Sequence, residues 1–426
     1  MAYVAKPKRI SKIKWKIIVP LFVVISVGLV MGYRYQQKKA AAAVNTFGIC
    51  ELNNIDTLAL VKNYENQYEI QEFLFYGETL NFFSSPYELN SSDDLYGKTI
   101  SLINLCTQEE NVYMVENKVD GQIPLEDLDD GVYEIFVNKS LDQLRMTYPE
   151  EVSEVFYTVT RNNTNKKITI KADQSMFSDE NNPQILTANY LYLIVETVSQ
   201  PEDYYDIIID PSAHDIDGGY SVDDGYRANG LIEAEENLRL ANLLKDDLTA
   251  MGLKVLLART DDEVVNSYGV DGKLYRGYQA HCRYYIDINQ MAANNTNYRG
   301  TKIYYSNYSS NKLAMSVLKS IIENTSLVTT DTSLLSGALT TSLVDEFDGN
   351  KMIRESGGKI LKAGVFSEKS AENASFNKDN IYGMQTISIA YIYLTNLEDV
   401  TIWNDEIDNI AYQTALGIAQ YLRIGE

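Results

Sequence analysis

Beyond residue 205 the chain alternates buried-strand and amphipathic-helix patterns, and that alternation limits its fold more than any other feature. Residues 207–209 form a continuous apolar run closed by Asp210-Pro211. Strands of this composition are covered on both faces, as in a parallel sheet. Residues 233–251 place Leu238, Ala241, Leu244 and Leu248 at helical spacing, with Glu and Asp on the opposite side and Gly252 as a stop. The pattern continues with a strand at 254–257, a helix at 277–284, and strands at 285–289 and 301–305. A helix at 311–324, a strand at 386–394 and a closing helix at 407–423 complete it. The predicted fold class is α/β, a sheet of about six mostly parallel strands flanked by helices.

Residues 50–200 read differently. Runs rich in β-branched and aromatic residues occur at 69–76, 99–105, 131–137, 156–160, 167–172 and 190–197, separated by turn clusters such as Asp120-Gly121. These predict a β-rich, sandwich-like domain over 50–200, in which no catalytic constellation is visible. The polar stretch 199–205, with Pro201, is the hinge to a second domain over 204–424.

Residues 1–39 hold nine basic residues and no acidic one. A basic tail at 1–16 precedes an apolar segment at 17–33, bordered by Trp15 and Tyr33, and a linker follows at 34–49. The segment reads as an uncleaved transmembrane helix whose more basic end stays in the cytoplasm, placing the remainder outside the cell membrane. The rival reading is a signal peptide cleaved near the alanines at 40–43, a position that Arg34, Lys38 and Lys39 disfavour. Beyond residue 39, 28 Lys and Arg face 59 Asp and Glu, a net charge of −31. Such a surface repels nucleic acid and other polyanions. Three cysteines (Cys50, Cys106, Cys282) allow at most one disulfide and form no metal motif.

Five segments, taken in order, carry a family resemblance. They are Asp210-Pro211 followed by His214; Asn229-Gly230-Leu-Ile-Glu233; the strand ending Arg259-Thr260-Asp261; Arg299-Gly300-Thr-Lys-Ile-Tyr-Tyr305; and Thr395-Asn396-Leu-Glu-Asp399 with its closing helix. This series resembles the zinc-dependent N-acetylmuramoyl-L-alanine amidases, which cut the amide between the peptidoglycan lactyl group and the stem peptide. The resemblance implies a Zn2+ held by two histidines and a glutamate, with a second glutamate activating the bound water. By that correspondence His214 and Glu233 are the metal-ligand candidates. The second histidine position is Asn289, a poor zinc ligand. The catalytic glutamate position is Ala390, which cannot accept a proton.

The preferred reading is therefore a membrane-anchored envelope protein whose amidase-like domain is catalytically degenerate. It would act by binding peptidoglycan, its stem peptide, or an envelope protein partner in wall metabolism. The alternative is an active zinc amidase with a rearranged site, in which Asp287 or Glu398 is recruited; Asp287 lies one pleat from Asn289. A third reading is a structural subunit of an envelope complex. His281-Cys282, set in the expected 277–284 helix, reads as packing, and the acidic loop from Asp215 to Asp224 reads as solvated in preference to calcium-binding.

Overall fold

The computed structural model describes residues 61–84, 95–115, 123–160, 164–177, 186–269, 271–330, 337–344, 347–357 and 383–424. The segment at 17–33 and its flanks lie outside the described residues. Among those described, no helix is long and apolar enough to cross a membrane.

The N-terminal half is β-rich. Eight strands form one sheet with Gly131–Lys139 at its centre, paired to Leu191–Val198 and then Asp142–Thr147 along one edge and to Thr99–Asn104 on the other. A smaller sheet of Glu72–Tyr76, Thr79–Phe83 and Ile123–Pro124 packs on it. Phe73, Phe75, Leu80 and Phe82 from the small sheet share a core with Leu102, Ile135, Ile168 and Leu193 from the large one. Arg145 is fully buried here; its guanidinium donates to the Ile135, Met146 and Leu191 carbonyls and lies 4.5 Å from the Tyr192 ring. Cys106 is disulfide-bonded, whereas Cys282 is free and buried.

The second sheet has six strands: β1 (Ile207–Pro211), β2 (Val255–Leu257), β3 (Tyr284–Met291), β4 (Lys302–Tyr305), β5 (Ala338–Thr340) and β6 (Gln385–Tyr393). Their order is β2-β1-β3-β6-β4-β5; the first four run parallel, and β4 and β5 run against them. Alternation along the strands sends two residue sets to opposite faces. Ile207, Ile209, Ile286, Ile288, Ile387 and Ile389 pack with helices α1 (Glu233–Ala250), α3 (Lys312–Asn324) and α5 (Leu397–Tyr421). Ile208, Tyr285 and Met384 pack with α2 (Lys273–Gln279) and α4 (Lys351–Ser356).

Two helices differ from their predicted spans. The helix expected at 277–284 lies at Lys273–Gln279, because Lys273 is drawn in to the buried carboxylate of Asp210 at 3.0 Å. His281 consequently sits in the following turn with φ +48°. The last helix begins at Leu397, ten residues earlier than its predicted start at 407, since the Asn396 side chain accepts from the Glu398 and Asp399 amides.

The tight turn Gly77-Glu78 of the small sheet inserts at the amino ends of β3 and β6. The buried Glu78 carboxylate accepts from the Tyr284 hydroxyl at 2.6 Å and the Tyr421 hydroxyl at 2.9 Å, and the Gly77 amide donates to the Gly357 carbonyl. The carboxyl ends of the parallel strands, where α/β sheets place their sites, point the other way.

Candidate functional site

At those carboxyl ends the face covered by α2 and α4 changes from apolar to polar. Parallel register puts Asp210 beside Asp287, Asp287 beside Ser388, and Asn289 beside Ala390. Antiparallel register adds Tyr304 opposite Ser388 and Lys302 opposite Ala390. A cleft of about 290 Å³ opens above this row, lined by Asn289, Ala390, Lys302, Tyr226 and Tyr393 among eleven described residues.

Asp287 lies one pleat below the cleft. Its carboxylate accepts from Ser212 Oγ at 2.5 Å, Asn289 Nδ2 at 2.7 Å and Ser388 Oγ at 2.7 Å. Burial, and then the charge of Asp210, pushes its pKa up to about 6. Asp210 itself is fully buried, paired with Lys273 and accepting from the Tyr285 hydroxyl at 2.6 Å. The row is thus a polar ladder, and Asp287, with three donors on its carboxylate, is its interior rung.

Glu233 is the first residue of α1. Its Oε1 accepts from the Gln290 amide at 3.1 Å and its Oε2 from the Tyr226 amide at 2.9 Å. Burial raises its pKa. The carboxylate thereby clamps a two-residue hairpin, Arg227–Ala228 against Leu231–Ile232, to the end of β3. Asn229 (φ +48°) and Gly230 (φ +83°) make the turn, an Asn-Gly type I′ signal visible in the sequence that motif matching alone overlooks. A methyl at position 225 would fall 2.4 Å from Glu233 Oε2, and Gly225 has φ +71°. Gly225→Ala is therefore expected to cost about 1–3 kcal/mol by expelling the carboxylate and straining the turn. Thermal unfolding measures this, and a loss below about 0.5 kcal/mol, the range of an ordinary surface change, would show that Glu233 is not held there.

His214 does not line the cleft. Ala213 (φ +68°) and His214 (φ +63°) both adopt the left-handed conformation, which is unfavourable for residues with a Cβ. The imidazole is held in its loop, Nδ1 against Asp224 Oδ1 at 2.8 Å and Nε2 against the Asp262 carbonyl at 3.2 Å. The His214 hydrogen bond, helped by Arg227, holds the Asp224 carboxyl below its ordinary range. The acidic loop spends its other carboxylates on backbone amides: Asp215 on the Asp217 amide, Asp223 on Gly225 and, outside the loop, Asp217 on Ser267. Glu398 is exposed and paired with Arg299, and burial pushes the Cys282 thiol well above its usual value.

The structure therefore brings Asn289 and Ala390 together as neighbours in one cleft, with Asp287 beneath them and Glu233 bonded to the adjoining backbone. His214 faces Asp224 and the 262 carbonyl. Among the described residues the donor set does not suit zinc: those lining the cleft include no imidazole or carboxylate, and each Glu233 oxygen already accepts a backbone amide. Among the described residues no three His, Cys, Asp or Glu side chains converge as a metal site. Sequence reasoning missed Lys302 and Asn350 as cleft residues, because the first depends on the β4–β6 pairing and the second on how α4 docks.

Residues 207–420, half of the 426-residue chain, match the family model described as N-acetylmuramoyl-L-alanine amidase. No curated protein is significantly similar. Among solved structures, the N-acetylmuramoyl-L-alanine amidase AmiC2 of Nostoc punctiforme is similar at 19% identity, covering 51% of this chain and 97% of that one, with a TM-score of 0.36. The catalytic domain of CwlV, an N-acetylmuramoyl-L-alanine amidase from Bacillus (Paenibacillus) polymyxa var. colistinus, is similar at 18% identity, covering 52% and 99%, with a TM-score of 0.37. The CwlD amidase from Clostridioides difficile, solved in complex with the GerS lipoprotein, is similar at 16% identity over 52% and 99%, with a TM-score of 0.35.

Proposed function

This chain belongs to the N-acetylmuramoyl-L-alanine amidase family, and from that premise we propose that it binds peptidoglycan stem peptide without hydrolysing it. The observation that carries the proposal is the Asn289–Ala390 pair at the centre of the cleft. Metal-assisted amide hydrolysis needs nitrogen or carboxylate ligands around an open metal position and a base for the attacking water. An amide and a methyl occupy the two places where the resemblance puts a ligand and that base. The nearest carboxylate on the same strand, Asp287, accepts three hydrogen bonds, from Ser212, Asn289 and Ser388, so its recruitment as a ligand would require breaking the ladder.

Loss of the base alone removes a factor on the order of 10²–10⁴ in rate. The expected result is that the full chain sediments with purified murein sacculi and releases no stem peptide above background, with or without a chelator. Chelator-sensitive peptide release, together with about one zinc per chain, would overturn the proposal. In the same reading, residues 17–33 tether the protein to the cell membrane with the amidase-like domain on the wall side. Recovery of the full chain in the soluble fraction after osmotic lysis would oppose that placement.

A further inference from the structure

We propose that the cleft recognises a peptide carboxylate, with Lys302 as the counter-charge; this rests on the reading of the cleft as a peptide-binding site. Among the eleven described residues that line it there is one cation, Lys302, and no acid. The chain as a whole carries −22, so a cleft of this polarity opposes the general field. Lys302 is half-buried, and its ammonium lies 5.2 Å from the Tyr304 ring centroid; no carboxylate of a described residue pairs with it. The reason is its cross-strand neighbour: directly opposite stands Ala390, whose methyl offers neither charge nor bulk.

Other polar groups around the cleft divide into those already used and those still open. Gln290 is consumed, its Nε2 donating to Asn237 and its Oε1 accepting from the Ile392 amide. The Asp287 carboxylate is covered from the cleft side by Asn289 Nδ2 and Ser388 Oγ. Asn350, by contrast, uses only its Oδ1 among the described residues, as the cap of α4 on the Ile353 amide, which leaves its NH₂ as a second donor at the cleft wall. One ammonium and one amide suit a single carboxylate. A phosphate or polyanion would meet too few cations here, and would be repelled by the acidic surface around it.

The probe is N-acetyl-L-Ala-D-Glu-L-Lys, compared by calorimetric titration of the full chain with the same tripeptide amidated at both carboxyls. The wild type should bind the acid roughly tenfold or more tightly than the amide, the effect of one charge-assisted contact. Lys302→Met should lower affinity for the acid to that for the amide and leave the amide unchanged, while Lys302→Arg retains the preference. Ala390→Glu should abolish it as well, by placing a carboxylate opposite Lys302 in the β4–β6 register. Equal binding of acid and amide, absence of binding to either, or a preference that survives Lys302→Met would overturn the proposal. Sedimentation with sacculi separates the two readings. Wall binding without acid preference removes only the carboxylate assignment, and acid preference without wall binding removes only the wall-binding function.

Discussion

Lys273→Met is expected to destabilise the protein by about 3–5 kcal/mol, a fall in melting temperature on the order of 10 °C. Lys273 and Asp210 are both essentially inaccessible to water, and their charged atoms lie 3.0 Å apart at the end of β1. Methionine keeps the length and apolar stem of the lysine, so the packing of α2 on the sheet is largely retained and the main loss is the counter-charge. Asp210 is then left with one donor, the Tyr285 hydroxyl, in a site that water cannot reach. The same ammonium lies 3.4 Å from the Ala213 carbonyl, at the start of the left-handed pair that turns His214 toward Asp224. The variant should therefore loosen this loop as well, seen as faster amide exchange at residues 213–215. Adding Asp210→Asn removes the orphaned charge and should recover most of the loss. If Lys273→Met unfolds within about 1 kcal/mol of the wild type, the pair is not the closed electrostatic unit that the geometry indicates.

How much of this was legible beforehand depended on the range over which each feature is decided. Strands such as β1 and β6 are announced by their own composition, since a run like Ile387-Ser-Ile-Ala-Tyr has no conformation that buries it better. The same holds for α1, whose apolar stripe and terminal Gly252 are both local. Strands Thr79–Phe83 and Asp142–Thr147 escaped notice because each is the return arm of a two-residue turn, Gly77-Glu78 or Ser140-Leu141, with little apolar alternation of its own. The Glu78 plug could not be read at all: its partners Tyr284 and Tyr421 are 206 and 343 residues away. For the candidate site, motif order identified Asn289 and Ala390 separately, and the β3–β6 register makes them neighbours. Lys302 became visible only through antiparallel pairing. The placement of His214 outside the cleft was not legible for a local reason, since two consecutive residues with φ near +65° redirect it away from the strand axis.

Stability should also fall as pH rises from about 4 to about 6, and Asp287→Asn should remove a large part of that slope. The Asp287 carboxyl is raised to about 6 in the folded chain, against about 3.9 in an unfolded one. Between those values the native state binds a proton that the unfolded state has released, so raising the pH favours unfolding. The contribution is fully present below the unfolded pKa and lost as pH passes the folded one; two units amount to roughly 3 kcal/mol. Other buried acids, including Glu233 and Asp399, are raised in the same direction and leave a residual slope, whereas Asp224 and Glu263, held low by their partners, act in the opposite sense. Asparagine at 287 keeps an acceptor for Asn289 and Ser388, and the Ser212 hydroxyl can turn from donor to acceptor. The variant should therefore match the wild type near pH 4 and exceed it at pH 7. Denaturant titrations at pH 4, 5, 6 and 7 measure this directly. Parallel curves for the two proteins would mean that Asp287 is ionised throughout, with the three hydroxyl and amide donors outweighing burial and the nearby Asp210.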